Sequence, residues 1–358
     1  MTSQDTPVPG RTWRSWAGLI GAGVAIALIA GVLGGVAVYK LGDRPGRCDV
    51  ERVAEAVLPS IVTISTESRV GGAGTGSGII IRPDGKILTN DHVIAGSSSI
   101  KVLLDDGEQL PATVVGTDPL TDLAVLEVKA SKLPALPISW NEPIATGQAV
   151  VALGSPLGLS GTVTSGIISA VNRDVSAPMA GGGTTVLTDS IQTDAAINPG
   201  NSGGALVTCD RRLIGVNTAI STVPNAQGVA GGGSVGIGFA VPATIAQRVT
   251  TELLAQGRAT HPWLGLSVAE ISPNTADTFG ASAGLFVQAV TSGGPAAQAG
   301  VQVGDVIITL NGQPASSRVM SHLLLTASLG DHVPATVMRD GKRIDVSITL
   351  IEQPVSNR

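Results

Sequence analysis

From Ser60 to Val241 the chain keeps returning to one local pattern: a short run rich in Val, Ile, Leu and Thr, then a break at Gly, Pro, Asp or Asn. About twelve such runs read as strands. Among them are Ser60–Thr66, Ser77–Ile81, Lys86–Asn90, Leu123–Val128, Val163–Val171, Ile191–Ala195, Ala205–Thr208 and Leu213–Ile220. Pro83-Asp84-Gly85 and Asp105-Asp106-Gly107 supply turns between them. No helix-length periodicity interrupts the series, which argues against a parallel sheet with crossover helices and for all-β barrels or a sandwich. Aromatic residues are only 2% of the chain while hydrophobic ones are 43%, so the core must be built from aliphatic side chains.

The flanks read differently. Residues 1–16 are a polar tail. Ala17–Val38 carries no charge, and as a helix rising 1.5 Å per residue it spans a hydrocarbon core of about 30 Å. With Tyr39 it makes a transmembrane helix over 17–39, flanked by Trp13 and Trp16 as interfacial anchors. Arg11 and Arg14 on one side balance Lys40, Arg44 and Arg47 on the other, so charge does not orient it. A linker over 40–49 leads to a helix at Val50–Leu58, stopped by Pro59. The strand region and a helix over Pro242–Gln256, ending at Gly257, complete a domain over 50–256. A smaller α+β domain follows over 257–352, with a tail over 353–358. Its strands are expected at Trp263–Val268, Leu285–Val290, Val306–Asn311, Ala335–Arg339 and Ile344–Leu350, with helices at Pro295–Ala299 and Ser317–Leu329. Two glycine-rich loops, Ala180–Thr185 and Ala226–Ser234, look mobile. The net charge is −5 and no basic cluster stands out, which gives nucleic acid no footprint. Two cysteines cannot build a metal site alone, and no cofactor or metal is expected.

One stretch carries chemistry: Asn198-Pro199-Gly200-Asn201-Ser202-Gly203-Gly204. A serine hydroxyl needs a base beside it and donors for the oxyanion it creates. Glycines around it permit a tight turn that gathers amide groups. Of the four histidines, His261, His322 and His332 lie in or at the edge of the C-terminal domain, so His92 is the base available in the serine's own domain. A carboxylate must then orient the imidazole. Asp122 opens the apolar strand Leu123–Val128, where a charge needs a partner; Asp91, Asp118 and Asp194 are rivals.

Thr89-Asn90-Asp91-His92-Val93, the segment Asp118–Leu126, and Thr193 through Gly204 closely resemble the HtrA/Deg family of serine proteases. The likeness covers roughly 50–350, and the order His, Asp, Ser is that of chymotrypsin-like barrels. It implies two six-stranded antiparallel β-barrels with the active site between them, His92 as base, Asp122 as orienter and Ser202 as nucleophile. It also implies an oxyanion hole from backbone amides of the Gly200, Asn201 and Ser202 turn. By the same resemblance Ala196 and Ile197, with Thr218 and Ala219 on the following strand, line the S1 pocket. Without an acidic residue at Ala196, small or medium aliphatic P1 residues are expected. The resemblance implies unfolded or misfolded envelope proteins as substrates, an extracytoplasmic catalytic domain behind a cytoplasmic tail, and a homotrimer.

The C-terminal domain resembles a PDZ domain. Leu264-Gly265-Leu266 matches its carboxylate-binding loop, and Gly304-Asp305-Val306-Ile307 its signature turn and strand, with Asp305 read as a turn former. Such domains bind peptide C-termini by strand addition. The glycine-rich stretch Gly71–Gly78 opens a strand and lacks the lysine of a phosphate loop; a tight barrel crossing beside the active site is its expected role. Cys48 and Cys209 either bridge, which requires an oxidising compartment, or stay as two thiols. Two other readings remain open: a site-specific protease of one signalling protein, and a peptide-binding chaperone or sensor.

Overall fold

In the computed structural model, residues 48–68, 71–138, 143–155, 161–178, 184–218, 236–279 and 281–354 are described. The expected membrane helix over 17–39, the loop Ala226–Ser234, most of Ala180–Thr185 and the site candidate Ala219 lie outside them. No helix among the described residues is long and apolar enough to cross a membrane.

Helix α1 (Val50–Val57) opens the described chain. The Asp49 carboxylate caps it by accepting from the Arg52 N–H at 3.2 Å, and Val53 and Val57 are buried. Six strands follow: β1 (Ile61–Ser68), β2 (Ala73–Arg82), β3 (Lys86–Thr89), β4 (Ser97–Leu103), β5 (Gln109–Asp118) and β6 (Leu123–Val128). They close into an antiparallel barrel in the order β1-β2-β3-β6-β5-β4. Six more close a second barrel: β7 (Ala149–Gly154), β8 (Thr162–Pro178), β9 (Thr184–Thr193), β10 (Ala205–Thr208), β11 (Leu213–Thr218) and β12 (Gly238–Pro242). The order there is β10-β11-β12-β9-β8-β7. Aliphatic side chains fill both interiors, with Val62, Ile64, Ile80, Ile87, Val102 and Leu126 in the first, and Val150, Ile168, Ile191, Leu206 and Ile214 in the second.

One hairpin outgrows its sequence expectation. β8 and β9 extend well beyond Val163–Val171 and Ile191–Ala195. Their register shifts at Ile168/Ala170, Ala170/Arg173 and Arg173/Val175, and Asn172 and Asp189 take left-handed backbone angles (φ 56 and 60). Successive bulges destroy the period of two on which strand recognition rests. The polar run Asn172-Arg173-Asp174 therefore conceals a strand.

Helix α3 (Ala243–Gln256) packs on β5, β6 and β11 and ends at Gly257. It covers the outer face of β6, which explains why Leu123, Ala124, Val125 and Leu126 are all buried rather than alternating. Between these barrels and the last domain, residues 258–261 form a bonded segment. Thr260 donates through both its N–H and its hydroxyl to Glu252 Oε2, at 2.5 and 2.8 Å. Arg258 pairs with Glu352.

The C-terminal domain is a sheet in the order β14 (Leu266–Ile271), β15 (Gly284–Val290), β16 (Val306–Leu310), β18 (His332–Arg339) and β19 (Lys342–Thr349), with β17 (Gln313–Pro314) on β16. The run expected as one strand from Trp263 breaks in two. Gly265 has φ +76, so β13 (Pro262–Trp263) pairs instead with β20 (Ile351–Glu352). Helix α4 (Pro273–Phe279) was not apparent in the sequence; the Ser272 hydroxyl caps it by accepting from Thr275 N–H at 3.2 Å. Helices α5 (Pro295–Gln298) and α6 (Ser317–Thr326) cover a core of Leu285, Val287, Ile307, Leu310, Leu323, Val337 and Ile348. Asp305 does more than shape a turn. Besides accepting from Gln302 N–H at 2.8 Å, it accepts two bonds of 2.7 Å from the Arg339 guanidinium. Cys48 and Cys209 are each disulfide-bonded.

Candidate active site

Strand β3 ends at Thr89, and a single helical turn, α2 (Asp91–Ile94), carries His92. Asp122 stands at the entrance to β6 with φ 56, a conformation uncommon for a residue with a side chain. The Asn90 side-chain amide holds its carbonyl at 2.8 Å. This places the carboxylate against His92. The ring Nδ1 lies 2.9 Å from Oδ1 and 2.8 Å from Oδ2, and the His92 backbone N–H donates to Oδ1 at 3.0 Å. With Nδ1–H donating to a carboxylate, the tautomer is fixed and the Nε2 lone pair is the basic site. The Asp122 side chain is 8% exposed and that of His92 34%, so the imidazole keeps access to solvent while its partner does not.

The second barrel also reaches Asp122: the Thr218 hydroxyl donates to Oδ2 at 3.0 Å. Its neighbour Asn217 accepts from Gly203 N–H at 2.9 Å and donates its own N–H to Gly204 O at 2.8 Å. Two consecutive residues of β11 thus hold the orienting carboxylate and the residue after Ser202. The serine itself is nearly buried, at 5% exposure.

The serine turn is pinned throughout. Asn201 N–H donates to Asn198 O and Gly204 N–H to Asn201 O, both at 2.9 Å. Gly200 sits at φ +99, which closes the turn after Pro199 in the way a glycine permits. Gly203 sits at φ +83, and a Cβ there would lie 2.1 Å from the Ser77 carbonyl oxygen. Only a glycine lets the two barrels approach so closely. From the first barrel Ser77 donates through its N–H to Ser202 O at 2.8 Å and through its hydroxyl to Gly200 O at 2.5 Å. The glycine-rich run thus ends in contact with the serine turn.

The rival carboxylates have other partners. Asp118 accepts from the Thr121 hydroxyl at 2.6 Å and pairs with His261 Nε2 at 2.7 Å. Asp194 is exposed and accepts from Ile167 N–H at 2.6 Å. Asp91 is buried; burial, then the charges of Asp122 and Asp118, push its pKa up from the ordinary value. The C-terminal histidines are structural partners: His322 pairs with Asp189, and His332 with the Thr349 hydroxyl at 2.9 Å.

The S1 candidates fare unevenly. Ile197 is packed into the core of the second barrel, and the Thr218 hydroxyl is engaged by Asp122. The Ala196 carbonyl accepts from the Thr164 hydroxyl at 3.0 Å. In the C-terminal domain, Leu264 is buried with its carbonyl accepting from Ala296 N–H at 2.9 Å, Gly265 O accepts from Thr291 N–H at 2.8 Å, and Leu266 begins the edge strand β14. Sequence reasoning missed Ser77, Asn217 and Thr218 as supports of the site. Their only signal is a polar residue inside a strand, and strands carry such residues in many places remote from any active site.

Comparison with known proteins agrees with this geometry. The profile of the trypsin-like peptidase domain matches residues 76–216, and that of the PDZ domain residues 262–350. The serine protease PepD of Mycobacterium tuberculosis is 40% identical over 350 residues, covering 87% of this chain and 73% of PepD. A probable periplasmic serine endoprotease, DegP-like, of Pseudomonas fluorescens is 41% identical over 278 residues, covering 77% of this chain. The match spans only 56% of that longer relative. Among solved structures, the HtrA-type protease AlgW with decapeptide is 34% identical with a TM-score of 0.71, covering 86% of this chain and 100% of AlgW. A mainly β peptidase with paired barrels, an imidazole–carboxylate pair beside a pinned serine turn, and relatives of this extent lead to one conclusion: the chain belongs to the HtrA/DegP-type family of serine endoproteases carrying a PDZ domain.

Proposed function

We propose that this serine endopeptidase works by an acyl-enzyme mechanism in which Ser202 is the nucleophile, His92 the general base and Asp122 the orienting carboxylate. The observation that carries the reading is the pairing of His92 Nδ1 with both oxygens of Asp122 beside a serine turn held by the adjacent residue of the strand that holds Asp122. His92 Nε2 takes the Ser202 proton as the hydroxyl attacks a peptide carbonyl. The Asp122 charge stabilises the imidazolium. The Gly200 and Ser202 amides receive the oxyanion; the Asn201 N–H, the third candidate, already donates to Asn198 O. The imidazolium then protonates the leaving amine, and water resolves the ester by the same steps in reverse.

Substrates, in this proposal, are unfolded or misfolded extracytoplasmic polypeptides, and the PDZ domain takes their C-termini along the edge strand β14 with the Leu264-Gly265-Leu266 loop at the carboxylate. Support comes from the open edge of β14 and from AlgW, whose structures hold a decapeptide and a tripeptide. The extracytoplasmic location is supported by the periplasmic relatives and by the disulfide-bonded cysteines. A tether through residues 17–39 and a homotrimer complete the proposal. Membrane fractions should retain the full chain after alkaline extraction, while a chain lacking residues 1–47 should be released; release of both would remove the tether.

Ser202→Ala should abolish casein cleavage with the unfolding transition unchanged. A fluorophosphonate probe should label the wild type at Ser202 and should not label the variant. Cleavage by Ser202→Ala at the wild-type rate would overturn the assignment.

A further inference from the structure

Ser77, which holds the serine turn, and Thr63 take no part in the proposed chemical steps, and both carry buried hydroxyls. Thr63 on β1 and Ser77 on β2 are direct cross-strand partners, so their side chains leave the sheet on the same face. Ser155, just beyond the end of β7, lies against both. The Thr63 hydroxyl donates to Ser155 O at 2.9 Å and lies 2.6 Å from the Ser155 hydroxyl. Ser155 N–H in turn donates to Ser77 Oγ at 2.7 Å. Ser77 Oγ has one proton, and it goes to Gly200 O at 2.5 Å. The direction of donation is therefore set along the row: Ser155 N–H to Ser77 Oγ, and Ser77 O–H to the Gly200 carbonyl.

We propose that Ser77 is a positioning residue for the oxyanion site, held by Thr63 through Ser155, and that it acts by fixing the Gly200 peptide. The chemistry depends on amides that do not reorient when charge appears on the substrate oxygen. The peptide joining Gly200 and Asn201 lies between the Gly200 and Ser202 amides and is gripped at both ends, its oxygen by Ser77 and its N–H by the Asn198 carbonyl, so it holds the donors on either side of it. Ser77 also grips the far side of the nucleophile, since its N–H donates to Ser202 O. One residue of the first barrel thus fastens the turn of the second on both sides of Asn201. A glycine at 200 has the widest choice of backbone states in the turn, so it loses most when the grip is removed. Donation from the Ser155 amide polarises the Ser77 hydroxyl and strengthens the bond it gives to Gly200. Thr63 touches no part of the serine turn and holds only Ser155, two hydrogen bonds away from Gly200.

The inference rests on Ser202 as nucleophile, and the test separates the two. Wild type, Ser77→Ala, Thr63→Val and the double variant are compared in the full chain, with active sites counted by fluorophosphonate labelling. Ser77→Ala should lower kcat by about 10-fold, less than the roughly 10²–10³-fold cost of losing an oxyanion donor outright. KM should stay within about 2-fold, because the grip matters only in the transition state. Thr63→Val should lower kcat by about 2- to 3-fold. The double variant should lose no more than Ser77→Ala alone, since both act through one row. If the wild type is not labelled at Ser202, the nucleophile assignment fails. If it is labelled and folded Ser77→Ala keeps kcat within about 2-fold, or the two losses multiply, the positioning role fails alone. Should Ser77→Ala not fold, Thr63→Val decides: unchanged kcat overturns the proposal.

Discussion

Asp122 accepts from three donors on two barrels: the His92 ring, the His92 backbone and the Thr218 hydroxyl. Its replacement by Asn would present the wrong atoms to Nδ1 and lose the tautomer. Asp122→Asn should lower kcat on the order of 10⁴-fold with little change in KM. Thr218→Val removes one neutral donor and should cost about 1 kcal/mol of transition-state stabilisation, read as a several-fold fall in kcat/KM. Asp91 is the opposite case, a buried carboxylate disfavoured when charged. Its folded pKa lies above the unfolded one, so it binds protons more readily in the native state. The resulting penalty is absent below the unfolded value and complete above the folded one. Asp91→Asn should therefore raise the melting temperature at neutral pH, and the gain should fade as pH falls through the carboxylate range. A gain that persists at acid pH would contradict this. At this scale the sequence was informative where one residue type alone can do the chemistry: a single histidine in the serine's domain, and a charge opening an apolar strand. It gave no sign that Ser77, Asn217 and Thr218 support the site, although it placed the run containing Ser77 beside the active site and Thr218 in the S1 pocket, because a hydroxyl or amide inside a strand looks the same whether it faces a catalytic carboxylate or its own backbone.

Elements were legible in proportion to their periodicity. β6, β10 and β11 are predominantly apolar runs and were found with boundaries near the observed ones. The bulged hairpin β8–β9 was half invisible, and the β13–β14 break depended on a single left-handed glycine, Gly265. Short α4 owes its existence to a cap rather than to an apolar stripe. The Asp305–Arg339 pair gives a test at this level. Burial tends to raise the Asp305 pKa, but the Arg339 hydrogen bonds and the Gln302 amide outweigh it and hold the value below normal. A depressed carboxylate pKa contributes stability above the unfolded value and loses it as pH falls through the folded one. Arg339→Met leaves a carboxylate that is 1% exposed without its partner, and should lower the denaturant midpoint of the C-terminal domain at pH 7. Arg82→Met, which breaks the exposed pair with Asp84, should do far less, because such pairs contribute about 0–1 kcal/mol. The difference should shrink in acid. Equal effects at pH 7 would refute the argument.

At the scale of the whole molecule, two histidines of the C-terminal half dock on aspartates of the barrels. His261 reaches Asp118 at the end of β5, and His322 on α6 reaches Asp189 on β9. Neither pairing can be foreseen from sequence, since the partners are more than a hundred residues apart and carry no local pattern. Together with the Arg258–Glu352 and Thr260–Glu252 bonds they make the connection a braced segment rather than a loose linker. Replacing both histidines by Ala should speed tryptic cleavage at Arg258 several-fold, with each single variant in between; unchanged cleavage would mean the braces carry no weight. The closure of the two barrels has a further consequence. A sheet with a free edge offers a row of unpaired amides and carbonyls, and an unfolded chain at high local concentration will extend it. Both barrels close on themselves, so among the described residues the open strand edges are those of the C-terminal domain, β14 among them, and of the outer β8–β9 ribbon, which runs past its neighbours β7 and β12. A protease that gathers unfolded polypeptides around itself concentrates the material most prone to aggregate. For the proposed unfolded substrates, the closed barrel walls offer nothing to grow on.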